Sequence, residues 1–450
     1  RHRETAMGAC SHYQGEKTMH DQIKQDKLIG RISFKLLPFL FLLYIISYLD
    51  RINLSFAALQ MNQELQFSDQ AFGLGAGIFF LGYCLFGIPS NFIIEKLGPR
   101  RWISIIMVVW GIVTVLMCQV RDPLSFALMR FLLGAAEAGF FPGMLLYLTY
   151  WFPRRHYGTA VARFMTAIPA AGLLGSAVAA YALSIHGFLN ISGWKWLFIV
   201  TGGPAVLIGL LIPFLMPDRP RHAAWLKEEE VDLLEKMLSA EAAQASPDQP
   251  AAKERNALLL PVVWLFALIY FTLTVSMYGF TFWLPQIIKA FESQQSDVTT
   301  SLLAAIPALF QAAGMLLVAG SSDRRKERTF HLAFANLLTF LGLVLTGLAP
   351  QPVLKLTGLC LSAFGIWGAV GPFWALTRQT LSQNSQAAGL ALINSVGNLG
   401  GFAGPYLIGL IKQHSQGNFT ASLLTLASAS VFATILLVLQ RQSKDSAKAT

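Results

Sequence analysis

Charge is what this sequence has least of. Asp, Glu, Lys and Arg make up 13% of its 450 residues, against about 25% in soluble domains, which argues against a fold solvated on all sides. Its four cysteines, Cys10, Cys84, Cys118 and Cys360, show no paired spacing and predict neither a disulfide framework nor, with no histidines at ligand spacing, a metal site. There is no P-loop and no other nucleotide or catalytic motif, so neither a cofactor nor an enzyme activity is expected. The first 33 residues are polar and the apolar run after them has no small-residue cleavage site, which argues against a secretory signal. The chain opens on Arg1, with Met7 and Met19 as candidate native starts.

What fills the chain instead is apolar sequence: 54% of residues are hydrophobic and the mean hydropathy is +0.52. Runs near the ~20 residues that cross a bilayer recur at about 34–58, 71–95, 101–119, 124–152, 158–185, 194–216, 258–288, 298–321, 329–349, 352–380, 386–412 and 419–440. They lack the alternation of a membrane barrel, and backbone polar groups in lipid must bond within the segment, so the runs are helices. The expected fold class is all-α and polytopic, with twelve transmembrane helices in two pseudo-symmetric six-helix bundles.

A charged stretch marks the division. The expected organisation is an N-terminal tail at 1–33, a first bundle at 34–216, a central loop at 217–257, a second bundle at 258–440 and a C-terminal tail at 441–450. Within the central loop, Trp225, Val231, Leu234 and Leu238 fall on one face of an amphipathic helix, and the Ala/Ser/Pro/Gln-rich part after it reads as linker. Lysines and arginines concentrate in the loops on the side of both termini, which places the termini in the cytoplasm of a multi-pass cell-membrane protein. The net charge of +10 is scattered over those loops rather than gathered in a patch, which argues against nucleic-acid binding.

The two halves echo each other in one detail. "NFIIEKLGPRR" follows the second run, with Glu95, Lys96, Arg100 and Arg101, and "AGSSDRRKERT" follows the eighth, with Asp323 and Arg324. An acid directly before a base recurs at the same place in each half, which supports two related halves.

Against this apolar background four ionisable residues lie deep in predicted helices: Asp50 and Arg51 in the first, Arg130 and Glu137 in the fourth. Each costs about 2.5–3.5 kcal/mol at the bilayer centre on insertion scales, which makes a functional role the default. At 1.5 Å per residue Asp50 stands about 24 Å into its helix and Arg130 about 9 Å from the opposite face, near one level of a ~30 Å core. Arg130 and Glu137, seven apart, share a face with Gly134 between them, where there is room for a neighbour, a water or a ligand. Pro142 and Gly143 offer a kink. The plain alternative is a set of structural salt bridges. The sharper reading is a neutral cluster that binds an anion when an acid is protonated, because the arginine fork matches a carboxylate.

The strings "YLDRINLSFAAL", "FGIPSNFIIEKLGPRRW", "RFLLGAAEAGFFPGMLLYLTYWFP" and "NSVGNLGGFAGPYLIG" resemble the major facilitator superfamily. Within it they resemble the anion:cation symporter family, in the bacterial branch for tartrate, phthalate, sugar acids and aromatic acids. The resemblance implies that Asp50 and Glu137 carry protons and that Arg51 and Arg130 grip the substrate carboxylate. It also implies that Tyr48 and Tyr83 line the cavity, while Asn394, Ser395 and Asn398 meet the remainder of the substrate. For the two charged turns it implies a gating role. Gln311, in the eighth run, stands open between ligand binding and helix–helix hydrogen bonding. The expected function is proton-coupled import of a small organic anion by a monomer in the bilayer, with protons as the coupling ion. A proton-independent facilitator or exchanger, and a transporter-like receptor, are the alternatives.

Overall fold

The computed structural model describes residues 2–244, 260–291, 294–382 and 386–449, and no strand occurs among them. Eleven of its helices are long and apolar enough to cross a membrane. Gln386–His414 is a twelfth of matching length, less apolar because Asn394, Asn398 and a series of glycines interrupt it. Span 1 lies in the helix His2–Glu64, span 2 is Asp69–Leu97, span 3 Pro99–Leu116 and span 6 Gly193–Leu215. Span 7 is Pro261–Lys289, span 9 Thr329–Leu348, span 10 Pro352–Thr380, span 11 Gln386–His414, and span 12 lies in Thr420–Ala449. A helix of 29 residues, such as span 2, is ~43 Å long, long enough to cross the ~30 Å hydrocarbon core with some tilt.

The remaining spans are broken before a proline, although Pro89, Pro285, Pro372 and Pro405 lie inside continuous helices. Span 4 comprises Pro123–Glu137 and Phe140–Thr149, span 5 Arg154–Met165 and Ala167–Ser184, and span 8 Asp297–Leu303 and Ala305–Arg325. Each break falls about four residues before a proline: Pro142, Pro169 and Pro307. Proline lacks the N–H that would bond to the carbonyl four residues back, and its ring crowds that carbonyl. The kink expected at Pro142 therefore appears one turn earlier, at Ala138 and Gly139.

Two other expectations take a different form. The helix of span 1 continues back through the polar N-terminal segment to His2. The amphipathic helix of the central stretch runs Glu228–Gln244 and buries Val231 and Leu234, while Trp225 lies before it and stacks on Trp151 at 5.9 Å. Arg31 of the first helix donates to Glu230 at 2.8 Å, and Glu241 accepts from the backbone N–H of Arg154 at 2.9 Å. The expected linker after this helix falls largely outside the described residues.

Spans 1, 5 and 6, spans 2 and 4, and spans 3 and 6 pack within the first six, as do 7 with 11 and 12, and 8 and 9 with 10, in the last six. Across the two sets, span 2 meets span 11, span 5 meets span 8, and span 1 meets span 7. The polar ties between the sets gather at the end away from the termini, called here the far end. There Lys412 Nζ donates to Asp69 at 2.6 Å, Gln70 donates to Gln413 and Tyr406, and Gln60 donates to Asp297. Backbones close in as well: a Cβ on Gly73 would stand 2.6 Å from the Pro405 carbonyl oxygen.

Candidate functional site

The four deep charges meet as one cluster. Arg51 Nη2 donates to Glu137 Oε2 at 2.9 Å, and Glu137 and Asp50 are near enough to interact directly. Asp50, Arg130 and Glu137 are fully buried. Their helices come together because small residues let them: a Cβ on Gly134 would stand 1.9 Å from the Phe79 carbonyl oxygen. The space opened by Gly134 is thus filled by the backbone of span 2.

Each acid has its own surroundings. Asp50 accepts from Thr114 Oγ1 at 2.7 Å and from Asn53 Nδ2 at 3.1 Å, and Asn53 donates also to Thr201 at 2.8 Å. These bonds fix the carboxylate to spans 3 and 6. Glu137 has the Arg51 bond on one oxygen, while its other oxygen, buried, has no hydrogen-bond partner.

The bases differ more sharply. Arg51 remains 19% exposed in its side chain and lies 5.3 Å from the Phe79 ring and 5.5 Å from that of Tyr83. Tyr44, Tyr48 and Tyr278 also interact electrostatically with it. Arg130 donates Nε to the Gly75 carbonyl at 3.4 Å and stands 4.8 Å from the Phe79 ring and 5.8 Å from that of Phe282. Both of its terminal nitrogens are buried without a hydrogen-bond partner. A buried cation with its donor fork unsatisfied, faced by an aromatic ring from span 7, can pair with an anion.

The other expected residues are placed as follows. Tyr48 is buried with its ring 6.3 Å from Trp367 of span 10. Asn394 and Asn398 lie on the face of span 11 that, nearer the far end, meets Phe80 and Gly73 through Gly401 and Pro405. The Cys84 thiol, next to Tyr83, stands 4.0 Å from the Ser395 carbonyl oxygen. None of these three span 11 residues hydrogen-bonds to an arginine of the cluster.

At the charged turns the echo is imperfect. Asp323 pairs with Arg328 at 2.5 Å, while Arg324, Glu95, Lys96 and Arg101 are exposed and Arg100 is half-buried. In the first turn Gly98 takes φ +79°, which a side chain would strain, and Pro99 starts span 3, where its missing N–H costs nothing.

Sequence reasoning missed Asn53, Thr114, Thr201, Tyr44 and Phe282. Asn53 had a signal, since it lies one turn from Asp50 on the same helix. The others come from elements whose approach to the cluster no local pattern announces. Among the described residues no three of His, Cys, Asp and Glu gather as a metal site would need.

Fold and cluster together define a polytopic helical carrier with ionisable groups sealed in its middle. The Major Facilitator Superfamily profile matches residues 40–405, and the chain belongs to that family. It is 42% identical over 420 residues to an Agrobacterium vitis protein described as a tartrate transporter, covering 93% of this chain and 92% of that one. It is 41% identical to a quinolone resistance transporter of Acinetobacter baumannii, over 92% of this chain and 94% of that one. Its fold matches an inward-facing, occupied structure of a bacterial homolog of the human lysosomal transporter Spinster, with a TM-score of 0.74 at 16% identity over 90% and 96% of the two chains. The protein is therefore a multi-pass membrane transporter and not an enzyme.

Proposed function

We propose that this transporter is a proton-coupled importer of small organic anions. The observation that carries the reading is Arg130, a fully buried cation whose two terminal nitrogens lack a partner. A substrate carboxylate supplies that partner in bidentate form. The name of the Agrobacterium vitis relative is consistent with such a substrate.

The two acids give the coupling. With both ionised, two arginines and two carboxylates sum to zero and an entering anion is uncompensated. A proton on Glu137 removes the charge that Arg51 faces, frees its guanidinium and leaves one positive charge for the anion. Glu137 leads in this role because Arg51 is bonded to it and its other oxygen has no donor beyond a proton it can share with Asp50, whereas Asp50 already accepts from Thr114 and Asn53. Asp50 takes a second proton later in the cycle. Proton and anion thus favour each other's binding, and the two sets of six spans, acting as rocking bundles, carry both across in one monomer.

The basic loops support cytoplasmic termini. On that orientation the bonded far end faces outward and the conformation faces inward. The charged turns at Glu95–Arg101 and Asp323–Arg328 then act as gating turns at the cytoplasmic end.

Uptake of labelled organic acids into proteoliposomes, with and without an inward proton gradient, tests the reading. The gradient is expected to drive accumulation by the unsubstituted protein, and Glu137→Gln is expected to keep exchange while losing accumulation. Uptake indifferent to the gradient would instead leave the acids as charge balance in a facilitator.

A further inference from the structure

On the side of the termini, away from the charge cluster, the first helix and the helix Glu228–Gln244 enclose a partly open cavity of about 220 Å³. Lys24, Lys27 and Arg31 line it from the first helix, and Glu229 and Glu230 from the other. Arg31 and Glu230 are spent on each other. Arg31 donates to both Glu230 oxygens at 2.8 and 3.0 Å and to the Trp225 carbonyl at 2.6 Å, and the Lys227 N–H donates to Glu230 at 2.9 Å. Lys24, Lys27 and Glu229, all exposed, have no ion-pair partner among the described residues. Two cations and one anion are thus left to meet whatever enters.

The position of the cavity narrows what that is. Lys24, Lys27 and Arg31 recur at spacings of three and four and share one face of the first helix. The same face continues into the apolar run as Phe34, Pro38 and Leu42, all exposed, Phe34 by 79%. Ile29, Ile32 and Leu36, on the opposite face, are buried. An outward apolar stripe within a span meets lipid tails, and basic side chains immediately before it stand at the level of the headgroups.

We infer that this cavity binds the headgroup of an aminophospholipid such as phosphatidylethanolamine. Its phosphodiester meets Lys24 and Lys27, its ammonium meets Glu229, and its acyl chains lie along Phe34, Pro38 and Leu42. Both contacts are charge-assisted hydrogen bonds. A glycerol headgroup brings no counter-charge to Glu229, and a choline headgroup, fully methylated, has no N–H to donate. Opposite signs on the two helices thus select a zwitterion that carries a donor at its end. The bound lipid adds a second tie between the first helix and the central helix, beside the pair of Arg31 with Glu230. The site is separate from the charge cluster and does not depend on which substrate is carried.

Native mass spectrometry of the full chain in detergent tests this with phosphatidylethanolamine, phosphatidylcholine and phosphatidylglycerol of the same acyl chains. The unsubstituted protein is expected to retain phosphatidylethanolamine about fivefold more than either of the others, the upper size of one part-exposed ion pair. Glu229→Gln is expected to bring that ratio close to one while retention of phosphatidylglycerol holds. Lys24→Gln combined with Lys27→Gln is expected to lower phosphatidylethanolamine retention about tenfold, since both phosphate contacts go. All three side chains are exposed, and a melting temperature unchanged without lipid confirms that each variant is folded. Equal retention of the three lipids by the unsubstituted protein overturns the inference. So does an ethanolamine preference that survives Glu229→Gln, which would belong to another part of the lipid-facing surface. Displacement of the lipid by soluble phosphorylethanolamine at equal concentration also overturns it, because the cavity would then serve a free phosphate rather than a lipid.

Discussion

The first six spans and the last six have the same number of crossings, yet they meet the centre of the molecule with different chemistry. From the first set come Asp50, Arg51, Arg130 and Glu137, with Thr114, Asn53 and Thr201 holding one of the acids. From the second come rings and neutral groups: Phe282 over Arg130, Trp367 beside Tyr48, Tyr278 near Arg51, and the Gln311 amide. The difference teaches a division of labour. Ionisable groups cost several kcal/mol each inside a membrane, and concentrating opposite signs in one set lets each offset the others. The second set is left free to shape the cavity without disturbing that balance.

If the division is real, substitutions of charge in the first set should outweigh any neutral change in the second. Arg130→Met is expected to lower anion uptake by about 10²- to 10³-fold, matching the ~3–5 kcal/mol lost when one member of a buried ion pair is removed. Arg130→Lys should rescue it poorly, because an ammonium cannot present a bidentate fork; initial uptake rates decide both. A near-normal Arg130→Met would end the comparison.

Thr114→Val should act next, removing one of two side-chain donors to Asp50 at a cost of about 1–3 kcal/mol. The expected readouts are a lower melting temperature in detergent and uptake reduced roughly tenfold, with Thr114→Ser restoring both. Phe282→Leu keeps the position apolar while removing the ring face from Arg130, and a cation–π contact is worth about 0.5–2 kcal/mol. A several-fold rise in KM with little change in maximal rate is expected. An effect larger than that of Thr114→Val would show the second set to be a full partner in charge stabilisation.

The smallest effect concerns the seam between the sets. Asp69→Asn breaks the partly exposed pair with Lys412, worth about 0–1 kcal/mol, and Lys412 retains its places near Trp283 and Phe419. Opening at the far end should rise a few-fold. Maleimide labelling of Phe80→Cys in a cysteine-free background would follow it, since Phe80 is buried against Gly401. Unchanged labelling would place the lock in the backbone contact of Gly73 with Pro405 instead.

By itself the sequence determined the spans and the identity of the four buried charges. Long apolar runs leave a backbone in lipid no choice but helix, and a charge inside such a run stands out against its neighbours. It also supplied the prolines before which spans 4, 5 and 8 break, while Pro89, Pro285 and Pro372 stand inside unbroken helices and show that the surroundings decide which proline breaks its span. Tertiary structure decided what each charge touches. Thr114 lies 64 residues from Asp50, and Phe282 reaches Arg130 only after span 7 packs into the centre, so no periodicity connects them. The same holds for Gln311, whose sequence context suits a helix contact and a ligand contact equally. Its place beside the Tyr48 hydroxyl was settled by how spans 1, 5, 7 and 8 close around it, because which partner a buried amide meets depends on neighbours that only the folded chain supplies.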